Sequence, residues 1–169
     1  MTSPPPSLFI AILILTALYS GPAFSDLSEE SETRAYIQYR KTQMRTISKH
    51  FHSISTIIGY SLPVKEHIVV HAQAIYGLSR SFASLYPEGS GKSVRDKYWT
   101  KAKPTVWTDP ELFSAYLLSL QDLSLLLIDA AERDDMSELK VIRKHMNTIC
   151  QTCHHHFKNS RSEIVYENE

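Results

Sequence analysis

Residues 136–159 read MSELKVIRKHMNTICQTCHHHFKN. Leu139, Ile142, Met146, Ile149, Cys153 and Phe157 recur there at three- and four-residue steps, which places them on one side of a helix. Near the end of that helix stands Cys150-Gln151-Thr152-Cys153-His154, the C-x-x-C-H pattern of c-type haem attachment. The chemistry needs this spacing. Two thiols add across the two vinyl groups on one edge of a haem, and two intervening residues let one helical turn present both sulfurs. His154 then sits under the ring, where an imidazole nitrogen can bind iron. Cys150 and Cys153 are the only cysteines of the chain, so none is left for a structural disulfide.

Other chemistries use the same residues. A zinc site would take Cys150, Cys153 and one of His154, His155 and His156, but structural zinc wants four ligands, often as two separated pairs, and no second pair is evident. A thioredoxin-type redox pair opens a helix after a strand, whereas this motif falls late in a helical pattern. Two plainly buried thiols are the third alternative. His155 and His156 read as solvated or haem-rim residues, because iron has two axial positions and His154 already fills one.

Outward from this helix the pattern repeats. A first helix is expected over about 27–60, with Tyr36, Ile37, Met44, Ile47, Phe51, Ile54 and Ile58 at helical spacing. Ser28, Glu29 and Glu30 suit its start, and Gly59 and Pro63 its end. A second is expected over about 63–86, followed by a long connection over 87–108 that contains two Trp. A third begins with Asp109 as N-cap and Pro110 at the first helical position. Arg133-Asp134-Asp135 is a short turn into the fourth. No segment reads as a strand. Long helices joined by short turns predict an all-α, antiparallel four-helix bundle, with the haem motif on its C-terminal helix.

Residues 1–25 contain no Lys, Arg, Asp or Glu, and Ser7 to Ser20 is mostly apolar. That run is short for a membrane span and fits a signal peptide, with Ala23 and Ser25 as the small residues before a cleavage at Asp26. The expected division is therefore a signal peptide over 1–25 and one haem domain over 26–169, exported to the periplasm. An uncleaved membrane anchor is the alternative. With 18 basic and 18 acidic residues the chain is formally neutral, which gives no bulk preference for nucleic acid or an anionic membrane.

The chain resembles the cytochrome c′ family, the class II c-type cytochromes, over about residues 30–160. Its haem motif lies near the C-terminus, on the last of four helices. Tyr39-Arg40 with Met44 downstream resembles the family's first-helix pattern. Pro104-Thr105-Val106-Trp107-Thr108-Asp109 followed by Phe113 resembles its approach to the third helix. Ala130-Ala131, an acidic turn and the last helix also match. The resemblance implies one covalent haem c on Cys150 and Cys153, with His154 as axial iron ligand. It also implies that a first-helix residue controls the sixth iron position, apolar in gas-binding members and Met in low-spin ones. Met44 falls there, which makes the chain most like the low-spin c-556 type. Met136 and Met146 share the helix of His154 and approach from the proximal side. A flexible core residue is the plain alternative for Met44. His50, His52, His67 and His71 are rival ligands, and His67 and His71 also have the spacing of a surface metal site.

Arg40 and Lys158 are candidate partners for haem propionates. Ile47, Trp107, Phe113, Ile149 and Phe157 are candidate pocket walls. The expected function is electron transfer through a His/Met-ligated haem, not catalysis. The alternative is a haem module that binds NO or CO, five-coordinate or with a labile Met. Redox partner proteins are implied without being identified, and a homodimer through the first two helices is an expected partner state.

Overall fold

The computed structural model describes residues 29–91 and 100–159. The expected signal peptide, the Ser28 cap and most of the basic stretch before Lys101 lie outside the described residues.

Helix α1 spans Glu29–Tyr60, about 48 Å at 1.5 Å per residue. Its buried stripe is Ile37, Ile47, Ile54, Ile57 and Ile58. The helix ends at Tyr60, as expected. Ser61 takes the left-handed conformation (φ 51°), and Leu62 N donates back to Ile57 O at 3.0 Å.

Helix α2 spans Glu66–Arg80, shorter at both ends than the expected 63–86. Tight i→i+3 bonds, from His67 N to Val64 O and from Ile68 N to Lys65 O, open it, so Pro63 stands before the first turn. Serines close it: Ser79 Oγ and Ser84 Oγ donate to the carbonyls of Tyr76 and Ser81, which competes with the regular ladder. A single 3-10 turn over Ala83–Leu85 follows, and it keeps Phe82 and Leu85 buried.

The long connection is partly ordered. It contains a one-turn helix α3 (Thr105–Thr108), and no strand is present among the described residues beyond one isolated antiparallel bridge, Ala102 with Lys158. Helix α4 spans Pro110–Glu132, with Asp109 Oδ1 accepting from Leu112 N at 3.2 Å and Pro110 at the first position. Helix α5 spans Met136–Phe157, with Asp135 Oδ1 accepting from Glu138 N at 2.9 Å. Asp134 (φ 59°) makes the turn between them. Lys65 pairs with Asp134, which ties the α1–α2 loop to the α4–α5 turn.

The connections over 61–65 and 133–135 are too short for anything but chain reversal, so α1–α2 and α4–α5 are two antiparallel hairpins. They pack with α2 against α4, and α1 touches α5 only sparingly. The end of α5 is secured from outside. Its last four carbonyls would lack intrahelical partners. His154 O accepts from Lys158 N, His155 O from Lys103 Nζ, His156 O from Thr105 Oγ1 (2.7 Å) and Phe157 O from Lys103 N (2.9 Å). Segment 100–105 thus lies as a strap over the end of the helix that carries the two cysteines.

Candidate haem site

Where α1 and α5 part, the bundle holds a cavity of about 640 Å³ with mostly apolar walls, within the roughly 300–1,000 Å³ usual for cofactor sites. Cys150, Cys153 and His154 line it from α5. Burial pushes both thiols up, Cys153 to about 11, so they are held as neutral thiols. A redox-active pair needs the opposite shift. Among the described residues no group of three or more His, Cys, Asp and Glu is placed to hold a metal ion, so zinc lacks a ligand set. Burial, with the charge of Lys158, lowers the His154 pKa and keeps its imidazole neutral, the form that can donate a lone pair to iron.

The facing wall comes from α1. Met44, Ile47 and Phe51 line the cavity there. Of the described methionines only Met44 does so. Met146 is fully buried in the core, and Met136 packs against the core beside the α4–α5 turn. None of His50, His52, His67 and His71 lines the cavity, so the structure does not bring these rivals to the site. His155 and His156 are exposed.

Ile149 and Phe157 from α5 and Phe113, Leu117 and Leu120 from α4 add to the apolar lining. Phe113 meets Phe157 edge to face at 5.1 Å between ring centroids. Trp107, expected at the wall, stands one layer behind it. Its indole N–H donates to the carbonyls of Tyr86 (3.1 Å) and Pro87 (3.0 Å), because a buried Trp needs an acceptor and the 86–91 turn offers two. Its ring also lies against Gly91, where a Cβ would come within 2.6 Å of it.

Tyr86 takes the wall position, and sequence periodicity gives no sign of it. Its ring packs on Phe113 at 5.0 Å, and burial pushes its phenol up to about 12. Arg40 lines the same region and is only 3% exposed. Its guanidinium donates to Ser90 Oγ (2.9 Å), Ser90 O (2.6 Å) and Thr100 Oγ1 (2.9 Å), and lies 4.7 Å over the Tyr86 ring. Among the described residues these partners are all neutral. Burial lowers the Arg40 pKa, and a carboxylate reaching this corner would be well received. Lys41, Arg45, Lys101 and Lys158 also line the cavity, and among the described residues no Asp or Glu does.

The donor set therefore fits a haem c: two neutral thiols one helical turn apart, a neutral imidazole beside them, apolar walls and a basic rim. Residues 35–158 match the family described as Cytochrome C'. The cytochrome c' of Rhodospirillum rubrum is 25% identical over 146 residues, 86% of this chain and 97% of that protein. That of Pararhodospirillum photometricum is 27% identical over 124 residues, 73% of this chain and 96% of that protein. Among solved structures, a nitric oxide complex of a cytochrome c prime variant from Alcaligenes xylosoxidans matches with a TM-score of 0.65 at 19% identity, covering 76% of this chain and 97% of that one.

Proposed function

The chain belongs to the cytochrome c′ family, whose members carry one covalently attached haem c, and from that premise we propose that it is an exported electron carrier with His154 and Met44 as axial iron ligands. One observation carries the reading: Met44 lines the same cavity as Cys150, Cys153 and His154, from the opposite helix. Bound haem supplies a one-electron iron centre. Cys150 and Cys153 hold it against loss outside the cytoplasm. With haem bound, His154 and Met44 would both hold its iron, and the same two side chains would serve both oxidation states, so little would have to move on electron transfer. Ile47, Phe113, Ile149 and Phe157 exclude water, which together with a thioether ligand favours the ferrous state. Arg40 and Lys158 are assigned to the propionates, and no side chain is assigned an acid or base role.

A second reading has an observation of its own. A structural relative has been solved as a nitric oxide complex, and a Met44 that leaves iron would open a dry distal pocket for NO or CO. Absorption spectra of the haem-loaded protein, ferric and ferrous, with and without CO, separate the two. Electron transfer with Met44 ligation predicts a low-spin spectrum indifferent to CO, and a Met44→Ala variant that is high-spin and binds CO. A Met44→Ala spectrum identical to the parent's overturns the ligand assignment. A parent spectrum that is high-spin and shifts with CO supports the gas-binding module.

A further inference from the structure

Along the seam between α1 and α2, His50 and His71 face one another, Nδ1 to Nδ1 at 2.9 Å, with ring centroids 5.1 Å apart and planes inclined by 52°. Both rings are half-buried. Two imidazole nitrogens make such a contact only when one donates and the other accepts, so a lone pair points into the seam. Burial lowers the His71 pKa, and the charges of His50 and His67 lower it further.

The spacing has a second meaning. Two nitrogens at about 2.0–2.1 Å from one metal ion lie about 2.9 Å apart when they subtend a right angle, and about 3.3 Å apart at a tetrahedral angle. We infer that His50 and His71 form a two-imidazole site for a divalent transition-metal ion, Cu(II) in preference to Zn(II), bridging α1 and α2. Right-angled nitrogen positions belong to tetragonal Cu(II), and Cu(II) also leads the affinity order for nitrogen ligands. On binding, the donor ring's proton moves from Nδ1 to Nε2. Because the two Nδ1 positions face each other nearly along one line, both rings turn to converge on the ion; both stay neutral, and no electron moves. Water fills the remaining positions, because no third ligand joins the pair among the described residues. His67 lies one turn before His71, with Nε2 3.8 Å from Glu66 Oε1. The site is separate from the haem cavity, which neither ring lines.

The test is calorimetric titration of the haem-loaded protein with Cu(II) and with Zn(II), paired with electron paramagnetic resonance of the copper adduct. One Cu(II) per chain is expected, with nitrogen hyperfine structure from two imidazoles. His50→Ala and His71→Ala should each weaken it by about tenfold or more, and Zn(II) should bind about tenfold or more weakly than Cu(II). An unchanged haem spectrum and helical circular dichroism in His71→Gln, which should lose the site equally, separates ligand loss from misfolding. Copper binding in His50→Ala equal to the parent's overturns the inference, because the ion then sits elsewhere, on α2 alone if His67→Ala abolishes it. Zn(II) binding tighter than Cu(II), or no one-to-one copper binding, also overturns it.

Discussion

The two ends of this bundle are built from the same four helices and the same apolar period, yet one is solid and the other hollow. Beside the 61–65 and 133–135 turns, Ile54, Ile68, Leu127 and Leu139 are all 0% exposed and fill the interior. Toward the other end, Ile47, Phe113, Leu117 and Leu120 line the cavity, so part of their surface faces it instead of another side chain. An apolar stripe records which face of a helix turns inward. It does not record whether anything stands opposite. The candidate chemistry is gathered at the hollow end.

The sharpest separation of the two ends is the double variant Cys150→Ala, Cys153→Ala. Acidified organic solvent should extract all of its haem, against none from the parent, while circular dichroism still reports helix. Retained haem would mean that the attachment lies elsewhere. Next in size is Leu139→Ala, which empties a filled site and should cost about 2–5 kcal/mol in urea denaturation with the haem spectrum unchanged. Ile47→Ala, at the hollow end, should cost less and alter the spectrum. If Leu139→Ala perturbs the haem and Ile47→Ala does not, the division into two ends is wrong. Arg40→Met removes charge-assisted hydrogen bonds to Ser90 and Thr100, and should cost about 2–3 kcal/mol by the same measurement.

Tyr86 gives the hollow end a pH signature. Its phenol pKa is raised to about 12 in the folded chain, from 10. Between those values the folded state holds a proton that the unfolded state has lost. The stabilisation is therefore complete below pH 10 and disappears as pH rises through 12. Ultraviolet titration should show one late-ionising tyrosine, absent in Tyr86→Phe. The smallest effect is expected at the solid end's surface. Arg133, 48% exposed, pairs with Asp129 at 2.8 Å and Glu138 at 2.5 Å. At high salt, Arg133→Ala should denature indistinguishably from the parent.

What was legible in the sequence follows the range of the interactions. The Asp109 cap, Pro110 and the Arg133–Asp135 turn act within one helical turn, and the structure has them as read. The ends of α2 were not legible, because serine side-chain bonds and a 3-10 turn replace the helix that the apolar stripe continues. The partners of Arg40 lie 50 and 60 residues away, at Ser90 and Thr100, beyond any periodic signal. The family resemblance makes Trp107 a candidate cavity wall, and the cavity lining does not include it. Its N–H needed an acceptor, and satisfying it moved the ring behind Tyr86.

The strap over the end of α5 makes one cooperative unit of two distant pieces of chain. The carbonyls of His155, His156 and Phe157 at the close of α5 take their partners from Lys103 and Thr105, so this turn cannot fray without releasing a loop some fifty positions earlier. Residues 101–105 and 155–159 should therefore share one opening free energy in amide hydrogen exchange. A change in the crossover would then be felt as loosened footing beneath His154, although no strap residue belongs to the motif.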